Sequence, residues 1–355
     1  MPSLLAISPE LEPVQAHLAA GMALVEKRMQ QQLTSDLPPV QRLCRHVERY
    51  HGKMIRPALA MLSALASAPE DSTIALNREP DERVIVISTV CEMVHLATLV
   101  HDDVLDDADT RRRTQTVNSL RGNEAAVILG DYLFSAAFGL CSTLGDQRTS
   151  QRIAEVGMVL CAGELLQLDH REDFSLDEPT YFEIVKRKTA SLIAAACELG
   201  SRQGSRSSSA TSPTSDASNP PAAALLERFG TSLGIAFQIQ DDLLDLTGDQ
   251  QVVGKSLGKD LEKSKLTLPI IHHLAAAGGE RRGRTLDLLH NHAMDSAQRS
   301  ELLRRWMAET DSINHARRVA ESLVNDARDA LQPIPESPAK RVLLLMADAV
   351  VNRNW

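Results

Sequence analysis

The chain has 355 residues, enough for one large domain or two ordinary ones, and 43% of them are hydrophobic, which is ample for a buried core. Aromatic residues make up only 3%, so leucine, alanine, valine and isoleucine must build that core, a mixture that favours helices. The net charge of −9 at pH 7 argues against a nucleic-acid-binding protein, because the phosphate backbone requires a basic surface.

The cysteines and the N-terminal segment bear on the compartment. The five cysteines are scattered without the CxxC spacing of metal or redox sites, which predicts reduced core thiols in a cytoplasmic protein. The N-terminal MPSLLAISPELEP lacks a basic region before its apolar residues, so no signal peptide is predicted. No stretch of about 18 apolar residues is free of charge, so no membrane span is predicted.

Apolar residues at helical spacing recur along almost the whole chain, interrupted by prolines and polar stretches. The run Val84–Asp107 is rich in valine and isoleucine, but it is too long for one strand and predicts a buried helix. In chain order, the predicted helices cover about Glu12–Leu33, Val40–Tyr50, Ala58–Ala68, Val84–Asp107, Glu124–Leu144, Ile153–Leu168, Thr180–Leu199 and Ala222–Asp249; about four more follow Lys265, the last from Ser337 and Pro338.

Polar segments between these helices are predicted to be loops. Asn118–Gly122 is one, and Ser201–Pro221, rich in serine, proline and glycine, predicts a flexible surface loop within a domain. The sequence has no alternating strand pattern with hairpin turns, no short-period repeat and no glycine-rich phosphate loop. The prediction is an all-α fold with a single domain over residues 1–355.

A dense group of carboxylates ends one apolar helix, in the stretch HLATLVHDDVLDDADTRRR, His95–Arg113. At about 100° per residue, Asp102 and Asp106 lie on one helix face, with Asp103 beside them. Such acids repel one another if they ionise together without a partner. The cluster therefore predicts a multivalent cation, and oxygen-only ligands that share the ion with substrate phosphates favour Mg²⁺. The alternative is a solvated acidic helix end followed by a basic turn.

A second group of acids repeats this spacing. Asp241, Asp242 and Asp245 follow the apolar run GIAFQI, so each group forms a DDxxD motif at the end of a predicted helix. One such motif carries little weight, because acids are common on helices, but two within apolar sequence are much more specific. If the two helices face each other, the acids can hold divalent ions that bind and polarise a diphosphate.

Basic residues occur where a diphosphate site would require them, since guanidinium and ammonium groups suit phosphate oxygens. Each one alone is more typical of a solvated surface charge. His95, two helical turns before Asp102, is by itself more typical of a buried core histidine. The basic candidates are Lys53, Arg56, Arg111, Arg112, Lys188 beside Thr189, Lys255, Lys259 and Lys265.

In their order along the chain, several motifs resemble those of the trans-type polyprenyl diphosphate synthases. They are GKMIRP, HLATLVHDDVLDDADTRRR, LGDYLF, GELLQL, KTASLI, FQIQDDLLD and GKSLGKDLEKSKLTLP. The resemblance runs from about residue 40 to the C-terminal SPAKRVLLLMADAVVNR, and GKxxRP with two DDxxD motifs is highly specific. It implies an all-α bundle around a deep central cavity, usually as a homodimer, which adds isopentenyl diphosphate head-to-tail to an allylic diphosphate such as farnesyl or geranylgeranyl diphosphate.

The resemblance also implies a mechanism and a role for each matching residue. Mg²⁺ and basic residues stabilise the departing allylic diphosphate, the isopentenyl double bond attacks the cation, and the released diphosphate takes the proton, so no aspartate or histidine is expected as general base. The implied Mg²⁺ ligands are Asp102, Asp103, Asp106, Asp241, Asp242 and Asp245. The expected catalytic residues are Asp102, Asp103, Asp106, Lys188, Asp241 and Asp242. The implied isopentenyl diphosphate residues are Lys53, Arg56, His95 and Arg112; those for the allylic diphosphate are Arg111, Lys188, Thr189, Gln238, Lys255 and Lys265.

Three features depart from the family pattern. Arg113 stands where the family usually has glycine, Ser264 replaces a common glycine before Lys265, and the predicted loop Ser201–Pro221 is longer than usual. None of them removes a catalytic group.

Small residues precede the first acid motif. In the family, bulky residues one turn before these acids close the floor of the elongation cavity, whereas here Ala97 and Thr98 stand five and four positions before Asp102. This predicts a long-chain product, as for quinone side chains. The alternative is a short-chain farnesyl or geranylgeranyl diphosphate synthase whose tunnel is capped by another helix.

Two alternative functions remain open. A class I terpene cyclase shares the fold and the first acid motif, but it typically has a different second motif and no GKxxRP. A non-catalytic partner subunit of a heteromeric synthase would be favoured by loss of the acids or of Lys53 and Arg56, and none of these is lost.

Overall fold

The computed structural model describes residues 9–50, 52–68, 76, 78–206, 221–247, 265–291, 294 and 296–352. Helices dominate these residues, which confirms the predicted all-α fold. They are α1 Glu12–Gln32, α2 Pro38–Val47, α3 Ile55–Ala66, α4 Glu82–Leu105, α5 Val117–Arg121, α6 Asn123–Ser142, α7 Gln147–Asp169, α8 Glu178–Val185, α9 Ser191–Arg206, α10 Pro221–Thr247, α11 Leu268–Ala276, α12 Gly279–His290, α13 Ser296–Glu309, α14 Ser312–Leu331 and α15 Pro338–Val351. Short 3₁₀ turns cover Pro9–Leu11 and Glu48–Tyr50, a π turn covers Lys186–Ala190, and strands β1 Thr110–Arg111 and β2 Thr114–Gln115 form an antiparallel hairpin.

Helix α8 begins earlier than the sequence predicted. Its first residue is Glu178, because the carboxylate of Asp177 accepts a hydrogen bond from the backbone N–H of Thr180 at 2.9 Å and so caps the helix. Thr180 therefore lies inside the first turn and does not cap it. The predicted loop Asn118–Gly122 is also wrong over most of its length, since it forms α5 up to Arg121.

The predicted loop Ser201–Pro221 is wrong at both ends. Helix α9 continues to Arg206, and α10 begins at Pro221; residues 207–220 lie outside the described residues. The helical part is polar yet buried: Ser201 is 0% exposed, and a Cβ on Gly204 would overlap the backbone of Ala64 in α3. Close packing of two helix backbones requires such small residues, so composition alone mistook a packed helix end for a loop.

The described helices fall into two compact units. The first comprises the described residues within Met1–Met158, Leu192–Gly230 and Ala330–Leu344, and the second comprises those within Val159–Ser191, Thr231–Asp329 and Leu345–Trp355. In the first unit, α4 packs against α1, α3 and α6 and buries almost every residue before its acidic end. In the second, one apolar cluster gathers residues of α8, α10, α11 and α14, and another gathers residues of α11, α12 and α13.

Helices α4 and α6 are long and apolar enough to cross a membrane by length and composition alone. The apolar window of α4 is 83% buried inside the protein, and that of α6 is 39% buried. A buried core helix has the same composition as a membrane span, so the burial of α4 accounts for its apolar run. Helix α6 differs, because Val127 and Ile128 are 41% and 67% exposed.

The hairpin turn between β1 and β2 carries Arg112 and Arg113 with φ of 49° and 65°. Positive φ at both central residues is characteristic of a type I′ turn, in which glycine is favoured. The glycine that the resembled family has at position 113 is therefore explained by backbone conformation.

Arg113→Gly is expected to raise the free energy of unfolding by about 0.5–1 kcal/mol, because it removes left-handed strain but adds entropy to the unfolded chain. Denaturant titration measures this change. The matched variant Arg121→Gly, at the exposed last residue of α5, should lower stability by a similar amount. A decrease in both variants would contradict the strain at position 113.

Candidate functional sites in the two units

The first acid motif lies at the C-terminal end of α4, in the first unit. Asp103 is 1% exposed; its Oδ1 accepts a hydrogen bond from Nε of Arg111 at 2.7 Å, whereas its Oδ2 is buried with no hydrogen-bond partner among the described residues. Burial raises the pKa of Asp103; the neighbouring Asp102 and Asp106 act in the same direction, and Arg111 opposes them. A buried carboxylate oxygen without a partner, beside two more acids, fits a divalent cation.

The β hairpin positions the arginines that follow these acids. Arg111 pairs with Asp103, and a guanidinium nitrogen of Arg112 donates a hydrogen bond to the carbonyl of Tyr50. The guanidinium of Arg112 lies so close to Gly52 that a Cβ at that position would overlap it. This close approach of Arg112 requires glycine at position 52 of the GKMIRP motif. The motif alone does not give this reason for the glycine.

Three groups predicted to bind one diphosphate interact electrostatically in the first unit. Burial lowers the pKa of His95 well below 6.5, and Arg56 and Arg112 act in the same direction, so its imidazole is neutral at pH 7. Burial also lowers the pKa of Arg56, an effect that the carboxylate of Glu92 opposes. His95 therefore offers a hydrogen bond and the two arginines supply the positive charge.

Glu92 is a member of this group that the sequence predictions omitted. It is 5% exposed, burial raises its pKa, and Arg56 and Arg112 lower it. Its Oε2 and the Nε of Arg56 are both buried and lack hydrogen bonds to other described residues. An acid within an apolar run, three residues before His95 and hence on the same helix face, was the pattern that could have identified it.

The remaining predicted residues of the first unit differ in exposure. Lys53 is exposed, directly after Gly52. Ala97 is 0% exposed, whereas Thr98 is half-buried and donates a hydrogen bond from its hydroxyl to the carbonyl of His95 at 2.8 Å. Thr98 is therefore the more accessible of the two residues expected to control chain length.

The second acid motif lies near the end of α10, in the second unit, where Asp242 is 5% exposed. The hydroxyl of Tyr181 donates to its Oδ2 at 2.6 Å, and Nε2 of Gln238 donates to its Oδ1 at 2.8 Å. The hydroxyl of Thr189 in turn donates to Oε1 of Gln238 at 2.9 Å. This chain fixes the orientation of the buried carboxylate, while Asp241 is exposed.

A π turn carries basic residues of the second unit. Within Lys186–Ala190, Nζ of Lys188 lies 2.5 Å from Oε2 of Glu164 on α7, and π turns often mark functional positions. A cavity of about 130 Å³ opens beside the turn, with both apolar and polar walls. Its polar lining includes Tyr181, Lys188, Thr189, Gln238, Asp242 and Lys265.

Four of the residues predicted for the allylic diphosphate thus come together around Asp242 within one unit. Arg111 lies instead against Asp103, and Lys255, like Lys259 and Ser264, lies outside the described residues. Tyr181 and Glu164 were absent from the sequence predictions. No spacing rule connects Tyr181 to Asp242, so only the fold reveals that contact.

Comparison with known proteins identifies close relatives along nearly the whole chain. Residues 38–305 match the family model for polyprenyl synthetase. The chain is 31% identical over 347 residues to the octaprenyl diphosphate synthase of Escherichia coli K12, covering 97% of this chain and 99% of that one. It is 29% identical over 348 residues to heptaprenyl diphosphate synthase component 2 of Geobacillus stearothermophilus, covering 98% and 100%.

Solved structures show the same similarity. A decaprenyl diphosphate synthase from Rhodobacter capsulatus matches with a TM-score of 0.83 at 30% identity, covering 98% of this chain and 100% of that one. A polyprenyl synthase from Caulobacter crescentus CB15, complexed with calcium and isoprenyl diphosphate, matches with a TM-score of 0.82 at 27% identity, covering 99% and 100%.

Proposed function

The chain belongs to the polyprenyl synthetase family and is a prenyltransferase, and we propose on this premise that it extends an allylic diphosphate with isopentenyl diphosphate, using Mg²⁺. The observation that supports the metal most directly is the buried Oδ2 of Asp103, which lacks a hydrogen bond to any described residue. Such an oxygen is costly to bury unless a cation binds it. A bound Mg²⁺ supplies the charge that stabilises a departing diphosphate.

The proposed isopentenyl diphosphate residues are those of the first unit. Arg56 and Arg112 supply charge and bidentate hydrogen bonds to diphosphate oxygens, and His95 adds a neutral hydrogen-bonding group. Lys53, exposed beside Gly52, adds a mobile positive charge. The carboxylate of the buried Glu92 opposes the lowering effect of burial on the pKa values of both guanidinium groups.

The proposed allylic diphosphate residues of the second unit are Lys188, Thr189, Gln238 and Lys265. Lys188 and Lys265 line the cavity beside Asp242 and offer positive charge to the leaving diphosphate. The hydrogen bonds from Tyr181 and Gln238 hold the carboxylate of Asp242 in one orientation. We assign Mg²⁺ binding to Asp102, Asp103 and Asp106 in the first unit and to Asp241, Asp242 and Asp245 in the second.

The experiment is incubation of the purified chain with labelled isopentenyl diphosphate, farnesyl diphosphate and Mg²⁺, with products resolved by chain length. Incorporation that requires all three components is expected. No incorporation by the chain alone, but activity after a second protein is added, would favour a partner-subunit role of the kind that the component 2 name of the Geobacillus relative suggests.

The proposed product is a long-chain polyprenyl diphosphate. Octaprenyl and decaprenyl diphosphate synthases are among the similar proteins, although a short chain isoprenyl diphosphate synthase from Methanothermobacter thermautotrophicus is also 31% identical. Ala97 and Thr98 leave only small side chains one turn before Asp102, and this favours the longer product.

Thr98→Tyr is expected to shorten the main product by roughly two or more isoprene units, because an aromatic side chain with a surface of about 200 Å² blocks the growing chain. Ala97→Tyr is expected to do the same, but Ala97 is fully buried, so its fold must be checked by circular dichroism. The matched variant Thr98→Val keeps the size and should keep the product. Unchanged product length in a folded Thr98→Tyr enzyme would contradict this role.

We also propose that the chain forms a homodimer in the cytoplasm. Helix α6 leaves the apolar Val127 and Ile128 exposed, and Met158 of the same unit is 72% exposed, which suits a protein interface. All five cysteines lie in the described part of the chain and are free thiols, as expected in a reducing compartment. Sedimentation velocity of the purified chain tests the dimer.

A further inference from the structure

Three side chains of metal-binding type meet in the second unit, on residues that no step of prenyl transfer uses. Glu178 is the first residue of α8, His272 lies in α11, and His315 lies in the first turn of α14. One ligand atom from each lies within 4.8 Å of the others. We propose that Glu178, His272 and His315 bind a transition-metal ion, Zn²⁺ being the physiological ion that this ligand set fits.

The contact between two of these residues is slightly shorter than the spacing of two ligands around one ion. Nε2 of His315 lies 3.0 Å from Oε1 of Glu178, yet it is buried and makes no hydrogen bond to the described residues, so the pair is close but misaligned for an N–H···O bond. Two ligands of a tetrahedral ion with bonds of about 2.0 Å lie about 3.3 Å apart. A small separation of the two side chains would admit the ion.

The third residue is oriented by a chain of hydroxyl groups. Nδ1 of His272 is hydrogen-bonded to Oγ of Ser312 at 2.8 Å. The hydroxyl of Ser312 contacts that of Thr310 at 2.7 Å, and the hydroxyl of Thr310 contacts Nδ1 of His273 at 2.7 Å. With Nδ1 engaged, Nε2 of His272 is the nitrogen available to a metal. Hydrogen bonding of the distal nitrogen is the usual support of a metal-ligating histidine.

Binding requires one local rearrangement. The rings of His272 and His315 are stacked, with centroids 4.0 Å apart and planes inclined by 17°, whereas a metal lies in the plane of each imidazole that binds it. The rings must therefore rotate apart around the ion. The side chains of His315 and Glu178 are 25% and 29% exposed, which leaves space for that rotation.

The ligand types select the ion. Two imidazoles and one carboxylate suit Zn²⁺, Cu²⁺ or Ni²⁺, whereas Mg²⁺ prefers oxygen ligands alone. The ion would connect the first turns of α8 and α14 to α11. Because α8 also carries Tyr181, which hydrogen-bonds Asp242, the metal would restrain the helix that orients this carboxylate.

Zn²⁺ affinity of the full chain, stripped of metal and kept in saturating Mg²⁺, is measured by competition with a chromophoric chelator. Wild type is expected to bind one tight equivalent, and His272→Gln and His315→Gln to lose affinity by about 100-fold; Ser312→Ala should lose about 10-fold. The control is His290→Gln, an exposed histidine of α12 whose ring contacts the carbonyl of Leu286, and it should bind as wild type does.

Electron paramagnetic resonance with one equivalent of Cu²⁺ tests the identity of the ligands directly. Splitting from two nitrogens is expected, and splitting from one in each folded histidine variant, as judged by circular dichroism. The proposal is overturned if wild type binds Zn²⁺ no more tightly than the histidine variants, if His290→Gln loses as much affinity as they do, or if Cu²⁺ shows no coupled nitrogen.

Discussion

Asp103→Asn is expected to lower kcat by on the order of 10³-fold, while the metal-free chain stays as stable as wild type or becomes more stable. The loss of activity follows from removing a metal-binding charge at the end of α4. The gain in stability follows from burial, because Asp103 is 1% exposed and only one of its two oxygens is hydrogen-bonded to a described residue.

The pH dependence of this stability effect has a definite sign. Burial raises the pKa of Asp103 above its ordinary value of 3.8, so the folded state binds its proton more tightly than the unfolded state does. The folded protein is therefore favoured at pH below 3.8 and loses that advantage as pH rises through the raised value. Asparagine cannot ionise, so the stability of the variant should not decrease with pH in this way. The variant also removes the charged partner of Arg111.

The matched control is Asp107→Asn, in the same acidic stretch. Asp107 is exposed and has φ of 50°, a conformation that asparagine tolerates well, so its kinetics and stability should match those of wild type. Steady-state incorporation of labelled isopentenyl diphosphate and thermal melting with and without Mg²⁺ separate the two outcomes. Equal loss of activity in both variants, or a lower melting temperature for metal-free Asp103→Asn, would contradict the proposed role.

The sequence was most informative where chemistry conflicts with local preference. Acids at the end of an apolar helix are poor helix formers and repel one another, so the DDxxD motifs predicted both a helix end and a cation site before any contact was known. Asp103 and Asp242 are both almost fully buried, which solvated acids at a helix end would not be. Their metal ligation stays a prediction.

Residues that act through tertiary contacts were beyond the sequence patterns. Tyr181 is three residues after the start of α8 and about sixty before Asp242, and only the packing of α8 with α10 brings its hydroxyl to that carboxylate. Glu92 looked like one acid in a core helix until the burial of Arg56 was known. The end of α9 near Gly204 was predicted to be a loop, because its serine and glycine content is typical of flexible segments. Composition does not show the neighbouring helix against which these small residues pack.

Gly52→Ala is expected to lower kcat/KM for isopentenyl diphosphate by about 10- to 100-fold, mainly through KM, with KM for the allylic substrate little changed. A methyl group at this position would overlap the guanidinium of Arg112 and force it away from the carbonyl of Tyr50. Loss of a hydrogen bond from a charged group costs about 1.5–3 kcal/mol, which corresponds to this range.

A double-mutant cycle shows whether Arg112 mediates the effect. If Gly52→Ala acts by displacing that guanidinium, it should add little to Arg112→Gln, because both changes remove the same interaction with the diphosphate. Gly283→Ala is the matched control, since a Cβ there meets no described atom within 4 Å; it should leave kinetics unchanged and stabilise α12 by about 1 kcal/mol. Additive losses in the Gly52 and Arg112 double variant would show that the glycine serves the loop independently of the arginine.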